Sequence, residues 1–168
     1  MSKRVKSASQ TKKAAPKQVA PVNPLVHLQH LELAEEFLKA FRDLPREGPS
    51  GIPVSWPRYF MLCHAIELAL KAFLLARGRT VPELRSRPFG HDISALMTEA
   101  IGLGLSIGPL ARSEIDRLSK AHEEFWHRYP RQAGDPVFVI DDFEHYFVEL
   151  LTAVTLAIRG GNRLWVNY

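Results

Sequence analysis

At 168 residues, with 46% hydrophobic and 24% charged residues, the chain has the size and composition of one soluble domain. Its single cysteine, Cys63, excludes an internal disulfide and a cysteine-based metal cluster. The net charge of +4 is modest, and the N-terminus carries no apolar signal core, so a reducing cytoplasm is the expected compartment.

In chain order, residues 1–23 come first. They hold Lys3, Arg4, Lys6, Lys12, Lys13 and Lys17 and no acid; removing those six from the 22 basic residues leaves 16 against 18 acidic. The positive charge therefore belongs to this segment, and a basic nucleic-acid face on the body is not implied. Poor in apolar and aromatic residues, it reads as a disordered, solubilising tail, with nonspecific contact to RNA, DNA or acidic partners as the alternative.

Residues 24–161 read as helices separated by Gly and Pro, and residues 162–168 as a C-terminal tail. The first helix enters at Asn23-Pro24 and ends by Pro45, with Leu25, Leu28, Leu31, Phe37, Leu38 and Phe41 on its apolar side. The second opens near Ser55-Trp56-Pro57 and stops at Gly78. The third begins at His91 or Asp92 and places Ile93, Leu96, Ala100 and Leu103 along one face. The fourth runs roughly from Ser113 to Arg128 and halts at Pro130. The fifth opens on Asp141 and Glu144 with capping-box spacing and ends at Gly160-Gly161. "PVFVI", Pro136 to Ile140, is the one short candidate strand. Five helices with short connections predict an all-α, up-and-down bundle of about five helices.

The second helix, "YFMLCHAIELALKAFLLARG", is apolar over most of its circumference, which predicts a central helix surrounded by the others. The titratable groups in its middle argue against a membrane span. His64, Glu67 and Lys71 fall within about 60° on a helical wheel. They form either a narrow solvent-facing strip or the wall of a cleft. In the plain reading, Glu67 and Lys71 are an i,i+4 surface pair. In the functional one, Lys71 or His64 meets an anionic group such as phosphate, with Glu67 setting their charge. Cys63 is expected to be buried and inert. His27 and His30 have no third ligand nearby in sequence, so neither a metal site nor a cofactor is expected.

Three stretches in order, "YFMLCHAIELALKAFLLARG", "GHDISALMTEAIGLGL" and "EIDRLSKAHEEFWHRYP", resemble landmarks of the HEPN superfamily, the higher eukaryotes and prokaryotes nucleotide-binding domains. The resemblance spans about residues 57 to 158. It implies an HEPN-like helical bundle, often a homodimer, of the kind found in prokaryotic toxin–antitoxin, defence and RNA-processing systems. Ligands would be a nucleotide or RNA, and an antitoxin-like protein is an implied partner.

Many members of that family are metal-independent endoribonucleases, in which an arginine steadies the scissile phosphate and a histidine, separated from it by four to six residues, moves a proton. Here Arg128 and Arg131 of the "RYP" region are followed by no such histidine. Arg58 with His64, Arg85 with His91, and Arg117 with His122 do satisfy the spacing. Arg117 and His122 lie closest to the family's usual site and are the candidate catalytic pair. Arg128 either complements the end of the fourth helix or joins Arg131 in a phosphate-binding edge. The expected function is thus a noncatalytic binding module, with an endoribonuclease or a pure protein-interaction scaffold as alternatives.

Overall fold

The computed structural model describes residues 25–47, 55–123 and 140–160. They form six α-helices: α1 (Val26–Asp43), α2 (Trp56–Ala76), α3 (Val81–Arg85), α4 (Ile93–Gly102), α5 (Pro109–Glu123) and α6 (Glu144–Arg159). A 3₁₀ turn, Ile140–Phe143, leads into α6, and the described residues hold no strand. The all-α class follows. The tail, the C-terminal residues 162–168, the end of the fourth helix, and Arg128 and Arg131 lie outside the described residues, as does nearly all of "PVFVI".

α2 is central, as its near-uniform apolar circumference predicts. It packs against α1, α4, α5 and α6. Fourteen of its residues are buried, among them Leu62, Ile66, Leu70, Phe73 and Leu74. By length and hydropathy it would pass for a membrane span, but in this fold most of its surface is covered by the other helices. Its ends are local in origin. Pro57 sits in the first turn, where a missing N–H costs nothing, and Gly78 follows with φ of 94°, which a Cβ would make unfavourable.

α1 and α2 form an antiparallel hairpin fastened by Arg58, which is only 2% exposed. Its Nη1 donates to the carbonyls of Phe41 at 2.7 Å and Leu44 at 2.9 Å, which the end of α1 leaves without partners. Its Nη2 donates to the Asp141 carboxylate, and its guanidinium lies 4.0 Å from the Phe41 ring centroid. One buried cation thus joins α1, α2 and the entry to α6. Asp141 is occupied there rather than in a capping box: α6 begins at Glu144, and its N-cap position, Phe143, makes no side-chain cap bond. The buried guanidinium of Arg58 claims the carboxylate that the capping-box spacing assigned to the helix end.

The connection from α2 to α4 contains a helix that the sequence reading above lacks. Thr80 and Glu83 close a complete capping box over the five residues of α3. His91 lies beside Glu67 in the middle of α2, and Glu99 reaches Arg79 just beyond its end, so α2 and α4 point the same general way. This stretch is therefore a return crossover, and the order departs from a plain up-and-down succession. α5 then runs back along α4, with Ser94 bonded to Ser119 and Asp116. α5 begins at Pro109, four residues before the expected start.

Candidate functional site

The i, i+3, i+7 spacing on α2 brings His64, Glu67 and Lys71 to one side, but not as a surface strip. Glu67 is 3% exposed and Lys71 9%. Lys71 Nζ donates to Glu67 Oε1 at 2.6 Å, and His64 Nδ1 stands 3.9 Å from Oε2, beyond hydrogen-bond length. The His64 ring is held edge-on by Phe37 from α1, with centroids 4.5 Å apart, and stacked on Phe60 at 6.0 Å.

A fourth group arrives from elsewhere in the chain. His91 Nδ1 lies 3.1 Å from Glu67 Oε2 and 3.2 Å from Oε1. Its position follows from the turn before α4. Gly90 N–H donates to Ser86 O at 3.1 Å and Asp92 N–H to Phe89 O at 2.6 Å, while the Asp92 side chain caps α4 by accepting from Ala95 N–H at 2.8 Å. Unlike Glu67, the His91 side chain is 80% exposed. A buried carboxylate therefore carries a buried ammonium on one oxygen and an outward-facing imidazole across both.

Burial by itself pushes the Glu67 carboxyl up. The His64 ring, the hydrogen bond and charge of Lys71, and the His91 contact outweigh it and hold the group at about 2. Glu67 is accordingly an acceptor at any ordinary pH. For Cys63, one residue before His64, burial is the leading influence and the Glu67 charge adds to it; together they outweigh a hydrogen bond with Tyr59 and push the thiol far up.

The other expected site residues sit apart from this cluster. Arg117 donates to Glu114 Oε2 from Nε at 2.9 Å and from Nη2 at 2.6 Å, and lies 4.8 Å from the Phe143 ring centroid. His122 is half-buried, its ring 6.4 Å from that of Tyr59. Five residues along a helix turn about 140° around the axis, so the two side chains meet different neighbours. Of the other spaced pairs, Arg58 is committed to the α1–α6 junction and Arg85 is exposed on the last turn of α3. A surface depression of about 360 Å³ beside α3 is lined by Arg79, Glu83, Arg87 and Phe89, but Arg79 is already paired with Glu99. Among the described residues, no three His, Cys, Asp or Glu side chains gather as metal ligands would.

His91 enters the sequence reading as a helix start and as the spaced partner of Arg85, not as a neighbour of Glu67. "GHD" read as a helix start, and that it is; nothing local in those three residues points to a carboxylate 24 positions earlier. No protein-family model, curated protein or solved structure matches this chain.

Proposed function

We propose that this protein is a noncatalytic HEPN-like helical module that binds a nucleotide or RNA, works as a homodimer in the cytoplasm, and belongs to the toxin–antitoxin and defence class with an antitoxin-like protein as partner. One observation carries the reading. Glu67 of "IELALK" and His91 of "GHD", two of the landmarks behind the HEPN resemblance, meet at 3.1 Å although they are far apart in sequence. The cluster they form with His64 and Lys71 is polar, partly open to solvent, and set in the wall of an otherwise apolar helix. Arg128 and Arg131 would supply a phosphate-binding edge in this reading.

Fluorescence anisotropy with labelled RNA oligonucleotides, together with thermal shift against nucleotides, tests the proposal. Saturable binding that weakens in His64→Ala and His91→Ala supports it. Failure to bind any RNA or nucleotide removes it and leaves the protein-interaction scaffold. Incubating the same RNA with metal-free protein tests the endoribonuclease alternative: cleavage that disappears in Arg117→Ala and His122→Ala would replace the noncatalytic reading.

A further inference from the structure

We propose that the depression beside α3 is a docking site for an acidic segment of a partner protein, with Arg87 meeting its carboxylate and Pro82 and Phe89 receiving an apolar neighbour. Arg77, Arg79, Arg85 and Arg87 fall within eleven residues, and Glu83 is the one acid among them. Outside residues 1–23 the chain carries 16 basic against 18 acidic residues, so this connection is a basic corner on an otherwise acidic body. The four arginines are not equivalent. Arg79 is committed to Glu99, from Nε at 3.0 Å and from Nη2, and its Nη1 lies 3.6 Å from Glu83 Oε1. Arg87 is exposed, lines the depression of about 360 Å³ and forms no ion pair among the described residues. Arg77 and Arg85 are exposed in the same stretch and likewise have no ion pair among the described residues.

The walls are set before any ligand arrives. Glu83 Oε2 accepts from the Thr80 N–H and hydroxyl, both at 2.7 Å. Ser86 Oγ donates to Pro82 O at 2.9 Å, and Ser86 N–H to Glu83 O at 3.1 Å. Phe89 is half-buried, its ring centroid 5.9 Å from the Arg79 guanidinium. This mixture of groups selects for peptide. A carboxylate pairs with the planar fork of Arg87, and peptide N–H groups find acceptors in Glu83 Oε1 and the Ser86 hydroxyl. An apolar side chain covers Pro82 and Phe89. A nucleic-acid strand, with a phosphate at every residue, would set negative charge against Glu83. The depression lies beyond the C-terminal end of α2, about two and a half turns from Glu67. It therefore does not rest on the nucleotide or RNA reading of the Glu67 cluster.

Fluorescence anisotropy with a labelled peptide of alternating glutamate and phenylalanine, titrated with the full chain, tests the site. Saturable binding is expected. Exchanging the glutamates for glutamine should weaken it about tenfold, and exchanging the phenylalanines for alanine several-fold. Arg87→Ala should weaken it about tenfold, whereas Arg112→Ala, at an exposed arginine on α5, should leave it unchanged. Both substitutions are on the surface, and thermal melting checks that both variants are folded. Absence of saturable binding up to about 1 mM, undiminished affinity of either exchanged peptide, or an equal loss in the two variants overturns the proposal. A short uridine RNA added as competitor tests the other occupant: displacement of the peptide by RNA whose own binding requires Arg87 makes the corner a nucleic-acid face and overturns the proposal. His64→Ala, expected to weaken RNA at the Glu67 cluster, should leave the peptide's affinity unchanged; an equal loss overturns the separate site. Peptide binding without RNA or nucleotide binding upholds this inference and removes the nucleotide or RNA reading, and RNA binding without the peptide does the reverse.

Discussion

Lys71 Nζ sits 2.6 Å from Glu67 Oε1, one helical turn apart, and both side chains are almost entirely out of water. A pair in this order on a surface contributes a few tenths of a kcal/mol. In the interior the sign of the argument changes, because removing one partner strands a desolvated charge. Lys71→Ala is expected to lose about 3 kcal/mol of unfolding free energy in urea denaturation. Glu67→Leu/Lys71→Met should lose less than Lys71→Ala alone, since it removes both charges and keeps the volume.

The same carboxyl makes stability depend on acid. Its folded value, about 2, lies below the ordinary 4.5, so ionised Glu67 stabilises the fold at pH above the ordinary value. That contribution should fade as pH falls from about 5 towards 2, and on the order of 3 kcal/mol is at stake. Denaturation measured across this range in wild type and Glu67→Gln checks it. The variant should be less stable near neutrality and show a flatter acid limb.

Arg58 bonds two α1 carbonyls and Asp141 from an almost fully buried position. Arg58→Met should cost about 3 kcal/mol, because those acceptors lose their donor in place. Arg58→Lys should recover only part, a single ammonium being unable to span three acceptors with the planar fork. Asp141→Asn should be milder, since that carboxylate is partly in water. Thermal melting of the three variants ranks them.

α3 depends on its cap. Thr80→Ala removes the hydroxyl that accepts from Glu83 N–H and should weaken the local turn by about 1 kcal/mol. Hydrogen exchange should show faster loss of protection at Leu84 and Ser86, with the amides of α2 unchanged.

Cys63 is fully buried and its thiol is held protonated, so iodoacetamide should not label the folded protein. Labelling should appear only with unfolding, which makes this residue an internal reporter for the variants above.

Much of the fold is legible because its signals are local. The Trp56-Pro57 entry, the Gly78 stop and the Asp92 cap each place a boundary through backbone chemistry within a few residues. The centrality of α2 is equally visible, since an all-round apolar helix has to be enclosed. α3 was legible too, in Thr80-x-x-Glu83, but a helix of five residues has no apolar period to draw attention. The candidate site divides along the same line. The alignment of His64, Glu67 and Lys71 follows from helical spacing, whereas their burial depends on what packs over them. The contacts of His91 with Glu67 and of Arg58 with Asp141 are products of the tertiary path, to which no local pattern gives access.

The placement of α2 has a consequence for how the chain is made. α2 is the second of the described helices in chain order, yet the flank that receives α6 stays uncovered until α6 has been synthesised. The nascent chain must therefore carry an uncovered apolar flank of α2 until α6 emerges, and a chain clipped before Ile140 would keep it for good. Such fragments are what chaperones and proteases recognise, so the stability of this protein in a cell is tied to the arrival of α6.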